Sequence, residues 1–501
     1  MTALPVDEPR RYRFAARDRA GVLLGLHGAQ CALLGGGLLA GGVGLQMSGS
    51  LVAAAVPVLL AAAMAFGRWD GRPAHEWAAP VLGWIALRRR GAHRWIMAVP
   101  TRVHPRSSAR PECLDGLELR EVQHPSGAPR VHGLGLMCDL PGRTLSATLR
   151  VRGREFTLLE RTDQERVLDA WGSALAGFCR ERGAVTRVSW SEWSAPASLD
   201  EHLAFVRDQQ AFPDPNEDVR RYLELVADAG PLTTAHEVLV TVTVDRTRID
   251  GRHATATHDA GLETLHQEVG LFTRRLEQVG LVVEPPLSGA ELALVLRLRT
   301  DPSCGARLGR RAETLGEAVG VVSPHNWLPA AMAVDWRHVR IDQSWHRTFW
   351  IAEWPRLEVP ADWMAPLLLH AGGIRTVTIV YEPVPPSRSR RAVDRDATRL
   401  ASDEDQRSRH GFRIRAQHRR AESDVLAREA ELVAGYPELA YAGFVTITAP
   451  TLELLEAQTA EWEQVAAQVG LELRALDGQH DLGLVTALPA GRAPTLARWG
   501  P

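Results

Sequence analysis

Three histidines, His253, His258 and His266, are the first candidates for chemistry, because closely spaced imidazoles can bind a metal. No carboxylate or cysteine completes a recognised ligand spacing with them. The HEVLV run at 236 lacks the second histidine of an H-E-x-x-H zinc site. The apolar run LALVLRLRTD, ending at Asp301, has the outline of a Walker B segment. It has no phosphate loop to serve, since the chain contains no lysine and all 58 of its basic residues are arginines. A Walker A loop needs that amine at the β/γ-phosphates, and Schiff-base chemistry needs it as nucleophile, so both are excluded. Gly133-Leu-Gly135 lacks the third glycine of a dinucleotide fingerprint, and no G-x-S-x-G elbow occurs. No catalytic residue, cofactor or metal ligand is assigned, and the chain reads as a non-enzyme.

Aromatic side chains are the next candidates. WHRTFWIAEWPRLEVPADWMAPLLL, residues 345–369, holds Trp345, Trp350, Trp354 and Trp363. Residues 344–352 have the pattern of a strand, in which Trp345 and Trp350 fall on opposite faces and cannot form one cage. Trp363 is expected to face the sheet from a helix over 360–369. Trp354, in a proline-bounded turn, is expected to be the most exposed of the four. Trp354 and Trp363 are therefore the candidate partner-docking residues, in a set that otherwise reads as core. Arg413 and Arg415 join them, in a segment (388–420) with eleven arginines and five acids. That arm reads as a solvated, ion-paired helix or a contact for an acidic partner; nucleic acid is the less favoured partner, because Phe412 is its sole stacking aromatic.

The elements that must position these residues begin with an uncharged stretch. Between residues 20 and 67 there is no Asp, Glu or Arg, and the stretch divides at Gln46-Met-Ser-Gly-Ser50 into two apolar runs. They predict a two-helix transmembrane hairpin over 21–67, with arginines before and after it and none in the loop. The positive-inside rule then sets both termini in the cytoplasm and the chain in the plasma membrane with two spans. A signal peptide, the competing reading, has one apolar run and a cleavage site. Glycines at 21/25 and 37/41 suit close helix contact, and Pro57 a kink. Residues 68–99 predict an amphipathic juxtamembrane helix whose Arg88, Arg89 and Arg90 meet lipid headgroups. The basic charge lies there: eleven arginines against five acids through residue 99, in a chain of formal net charge −2.

Beyond residues 1–20, the hairpin and the juxtamembrane helix, a 100–112 linker leads to a first α+β domain at 113–300. It contains a hairpin around Arg152-Gly153, a helix from Thr162 and the strand HEVLVTVTV. A linker region (301–343) separates it from a second α+β domain at 344–491, with a helical arm at 388–434 and a tail at 492–501. Two βαβ-like units joined by a long arm predict a ferredoxin-like or split βαβ layout, so the fold class is α+β. Five scattered cysteines with no C-x-x-C pair predict free thiols rather than a disulfide framework.

The order of these parts resembles the actinobacterial conjugation and type IV secretion-associated membrane proteins, in which a PrgI-like hairpin is joined to a region like the N-terminal part of TraC/TrbE-type ATPases. The stretches that carry the resemblance are WHRTFWIAEWPRLEVPADWMAPLLL, TVTIVYEPVPPSRSRRAV and YAGFVTITAPTLELLEAQTAEWEQVAAQVGLELRALDGQHDLGLVTALPAGR. The motor that follows in those ATPases is missing, so no catalytic residue carries over. More distantly the chain is similar to EccE-like subunits of type VII secretion complexes. The resemblance implies a membrane-anchored, oligomeric, non-catalytic scaffold whose partners are a separate secretion or conjugation ATPase, other membrane subunits and lipid. The alternative of another class is a membrane-bound enzyme with an interdomain cleft.

Overall fold

The computed structural model describes residues 10–14, 28–69, 72–97, 110–122, 133–153, 156–196, 206, 216–229, 234–249, 258–305, 307–308, 322–324, 326–409 and 416–494. Two uncharged helices come first, α1 (Gly28–Ser48) and α2 (Leu51–Phe66). They pack closely because glycines clear the contact: a Cβ at Gly41 would lie 2.7 Å from the Ala54 carbonyl oxygen, and one at Gly37 would strike Ala61.

The expectation of two membrane spans is overturned. With 21 residues, α1 is the one described helix long and apolar enough to cross a bilayer, whereas α2 has 16. Sixteen helical residues rise about 24 Å, against a hydrocarbon core of ~30 Å. The multi-pass assignment therefore falls, and with it the argument that placed both termini in the cytoplasm.

The 68–99 stretch is also not one surface helix. Short strands β1 (Arg68–Trp69) and β2 (Arg72–Pro73) pair with each other, and α3 (Ala74–Arg89) follows. Gly91, at φ +71°, ends the helical run, and β3 (Arg94–Ile96) then joins the body's sheet.

The body is built on strands β4 (Leu117–Val122), β5 (Leu134–Asp139), β6 (Thr144–Arg152), β7 (Val185–Pro196), β8 (Thr234–Asp245), β9 (Val282–Val283), β10 (Ala331–Val334), β11 (Val339–Ile341), β12 (Ser344–Glu353), β13 (Ile374–Pro383), β14 (Leu439–Ala449) and β15 (Glu472–Ala475). With β3 they make one antiparallel sheet in the order β3-β10-β11-β12-β14-β13-β7-β8-β6-β5-β4, with β15 on β12 and β9 on β6. Helices interleave them: α4 (Arg161–Ala176), α5 (Glu217–Ala229), α6 (His258–Glu277), α7 (Gly289–Thr300), α8 (Ala365–Leu368), α9 (Pro386–Arg409), α10 (Ala416–Val433), α11 (Leu452–Gln468) and α12 (His480–Ala487). The class is thus α+β with a large antiparallel sheet. The region 301–343, expected as a linker, contributes β10 and β11 to that sheet. The run ending at Asp301 is helix α7, capped by a Ser288–Glu291 box, so its Walker B outline is accidental.

Two local expectations fail for identifiable reasons. No hairpin forms around Arg152-Gly153, because β6 takes β5 and β8 as its long partners and residues 156–158 turn into a 3-10 helix. The helix expected over 360–369 shrinks to α8, since Pro366 has no N–H to donate to Asp362.

One connectivity occurs twice. The order β6-α4-β7, long connection, β8-α6-β9-α7 is repeated by β12-α8-β13, long connection, β14-α11-β15-α12. The halves are not separate: β7 and β13 pair antiparallel from Ser194↔Arg375 to Val188↔Tyr381. Register fixes the symmetry of that seam. Thr148 faces Thr241 in one half as Thr348 faces Thr446 in the other. Ser189 and Thr376 stand beside Thr241 and Thr446 respectively, and so are counterparts. Two residues along, Ser191 and Thr378 are counterparts that also face each other. A pseudo-two-fold axis therefore passes between them.

Alternation gives the sheet two unlike faces. On one face, Leu145, Ala147 and Leu149 with Val240, Val242 and Val244 bury against Leu175, Leu265 and Phe272 of α4 and α6. Phe349, Val445 and Ile447 do the same against Leu455 and Trp462 of α11. The other face is rich in hydroxyls, with Ser146 bonded to Thr243, Thr148 to Thr241 and Thr348 to Thr446 at 2.9–3.0 Å. The last helix of each half covers it, and Leu292 and Leu296 of α7 share a cluster with Leu484 and Val485 of α12.

Candidate functional site

Charge is buried at one end of β7 and β8, on both faces of the sheet. On the apolar face, Glu192 Oε1 lies 2.6 Å from His236 Nδ1 and 3.6 Å from Arg375 Nη2. Arg375 has no exposure. It donates to Ser194 Oγ and the His370 carbonyl, both at 2.9 Å, and to the Leu368 carbonyl, and it stacks 4.8 Å over Trp462. Burial pulls its guanidinium down from the usual arginine range, against the charge of Glu192. Glu192, His236 and Ser194 have the composition of a hydrolytic triad. Ser194, however, is fully buried and its Oγ accepts from Arg375, so no substrate reaches it.

On the hydroxyl face, Arg299 donates to Glu237 Oε2 at 2.9 Å and lies 5.7 Å over Trp193. Arg150 links Glu237 to Glu284 at 2.9 and 3.1 Å. Burial alone would raise the Glu237 carboxyl; the charges of Arg299 and Arg150 and their hydrogen bonds overcome it and hold the pKa below the usual range. Glu237 belongs to the HEVLV run, which thus serves an ion-pair network. A glutamate inside a valine-rich strand was the available signal.

Across the same face, His346 joins the halves. Its Nδ1 lies 2.9 Å from Thr448 Oγ1 and its Nε2 2.8 Å from the carbonyl of Thr300, where α7 ends. Burial pulls its pKa down to about 4, so it is a neutral imidazole donating through Nε2.

The expected docking residues lie elsewhere. Trp350 packs with Phe444 and Val380, while Trp345 packs against the cluster on the other face. Trp354, expected as the most exposed of the four, is 8% exposed, and that expectation is corrected. Phe14 covers it, stacked at 5.2 Å; Tyr441 meets its edge at 5.2 Å, and Trp363 stands at 6.2 Å. Trp363 is half-buried beside Phe14 and precedes α8 instead of riding on it. The covering segment is a strap: Tyr12 exchanges both backbone hydrogen bonds with Val359, Arg10 pairs with Asp169 and Arg13 with Asp424. Two arginines read as flanking charge for a membrane are therefore spent on the body. The aromatics beside them, Tyr12 and Phe14 in RRYRF, carried the signal for this strap.

Arg88, Arg89 and Arg90 end α3 exposed; Arg88 lies 4.8 Å over Trp84 and Arg90 pairs with Glu112 at 3.1 Å. The helix is held to the body by Trp84 and Trp77 against Trp336. Arg413 and Arg415 lie outside the described residues, as does His253. The arm around them forms α9 and α10, rooted by Arg428 on Asp396 and Glu438 and by Ser387 on Glu181. Along α9, Arg388, Arg390, Arg391 and Arg395 are exposed. Among the described residues no three His, Cys, Asp or Glu side chains group as a metal site, and all five cysteines are free thiols. Two open hollows occur there, about 530 Å³ between α1 and α2 and about 440 Å³ along Asp394–Ser402.

No family model matches the chain, and no curated protein matches it.

Proposed function

We propose that the chain is a membrane-anchored, non-catalytic scaffold of a conjugative or secretion apparatus, holding a separate ATPase through its body. The β7–β13 seam is the observation that carries the reading. It joins the halves into one sheet at the place where an enzyme of this layout would keep its cleft. Each half is read as a ferredoxin-like, split βαβ unit, since the short last strand of each pairs with its first. Further support comes from the exposed arginines of α9, which offer an acidic protein surface several charged donors on one rigid rod. α1 supplies the anchor.

The test is purification from membranes through a C-terminal tag, after mild cross-linking, under conditions in which transport is active. A P-loop ATPase and membrane-channel subunits are expected to come with it. The double variant Arg391→Glu/Arg395→Glu should lose the ATPase while the body still folds. Recovery of neither ATPase nor channel subunit would sink the proposal. Recovery of nucleic acid released steeply by salt would replace it with the competing reading of the arm.

A further inference from the structure

The chain entering the α1–α2 hairpin and the chain leaving it are both fastened to the same body. Upstream, the strap is bound through Tyr12 to Val359, through Phe14 to Trp354, and through Arg10 and Arg13 to Asp169 and Asp424. Downstream, β3 is part of the sheet and α3 is docked on Trp336. A single crossing by α1 would put these two attachments on opposite sides of a bilayer. Two crossings need more length than α2 has.

The turn between the helices satisfies part of its own backbone, although Ser50 gives the first turn of α2 no side-chain cap. Irregular backbone in hydrocarbon must satisfy its own polar groups. Here the Gly49 N–H donates to the Leu45 carbonyl at 2.8 Å, and Ser48 Oγ donates to the Gly44 carbonyl at 2.7 Å. The Ser50 N–H donates to Ser48 Oγ at 3.3 Å, and Gly49 takes the φ of +62° that closes the turn. At the tip the apolar Met47, Leu51 and Val52 are each at least 70% exposed, beside the exposed polar Gln46, Ser48 and Ser50. No charged residue lies between Gly28 and Gly67, whereas Arg68 and Arg88–Arg90 stand exposed at the body end.

We infer that α1–α2 enters the bilayer as a re-entrant hairpin. Both ends stay on the body's side, the 48–50 turn lies within the hydrocarbon short of the far headgroups, and the arginines meet anionic headgroups at the near surface. The occupant of the exposed hairpin faces is phospholipid acyl chain. The shorter arm sets the depth, about 24 Å of a ~30 Å core. This rests on the membrane-anchored reading above and specifies its geometry.

The experiment adds full-length protein to preformed vesicles of phosphatidylcholine and phosphatidylglycerol, so that the body stays outside. Met47→Cys and, separately, Leu51→Cys are made in a Cys31→Ala background; neither position supplies a side-chain bond to the turn. The expected result is flotation with the vesicles and no reaction of either cysteine with an impermeant maleimide, added outside or trapped within, until detergent opens the membrane. A nitroxide at either site should be relaxed by oxygen but not by an aqueous nickel chelate. Labelling by the trapped reagent overturns the inference, because the hairpin then crosses. Labelling from outside, or relaxation by nickel, overturns it too, because the hairpin then lies on the surface. Failure of the parent protein to float removes the anchored reading along with it.

Discussion

Asp481 and His346 are both buried, yet they respond to pH in opposite senses. Burial pushes Asp481 up from 3.8 to about 6, so the folded chain keeps a proton that the unfolded chain has released. The stability it contributes is full below pH 3.8 and is lost as pH rises through 6. Burial pulls His346 from 6.5 down to about 4, so its contribution is full above pH 6.5 and is lost as pH falls through 4. Shifts of this size correspond to roughly 3 kcal/mol each, and the two oppose one another over the same window. His480, also held down by burial, acts in the sense of His346. Asp481→Asn is therefore expected to gain up to ~3 kcal/mol at pH 7 and to lose stability between pH 6.5 and 4 more steeply than the parent. Urea midpoints across that range measure both, and a decline no steeper than the parent's contradicts the assignment. At this scale the sequence was informative about residue type and poor on exposure. The proline beside Trp354 marked a turn, but a turn is exposed only if no distant segment covers it, and Phe14 lies far away in the chain.

Elements whose ends carry their own signals were legible. Thr451 caps α11, accepting from the Leu454 N–H, and Gly470 at φ +79° follows its end, as the pattern over 451–470 implies. Docking of elements was less so, as α3 demonstrates. It reads as a lipid-surface helix because its tryptophans and arginines suit headgroups, but those tryptophans are used against Trp336. Gly478 permits the contact: it sits at φ +71°, its N–H donates to the Trp336 carbonyl at 2.7 Å, and a Cβ there would fall 2.7 Å from the Trp336 ring. Gly478→Ala combines a left-handed alanine with a displaced indole, for an expected loss of ~2–3 kcal/mol. Tryptophan emission should shift red as the Trp77–Trp84–Trp336 group opens. An unchanged spectrum with unchanged stability would show that α3 is held by other means.

For the whole molecule, strand patterns told which residues face in but not which strand lies alongside. Between β7 and β13 the chain forms all the strands from β8 to β12, and nothing in either sequence names the other as neighbour. Two domains were therefore expected where one sheet exists. Buried Arg375, bonded to Ser194 across the seam, and His346, bonded to the end of α7, tie the halves further. Calorimetry of the body is accordingly expected to show one transition with equal calorimetric and van't Hoff enthalpies; two resolved transitions would mean that the seam is not cooperative. The Ser191–Thr378 pairing also bears on how the protein can polymerise. A two-fold contact between like strand edges closes on itself and cannot be extended. The edges left at the ends of the described sheet are unlike: three-residue β3 at one, and β4 with its Arg120–Glu118 pair at the other. Short and charged edges resist strand addition. Copies of this chain at high local concentration can thus crowd together without their sheets fusing into fibres through those two edges.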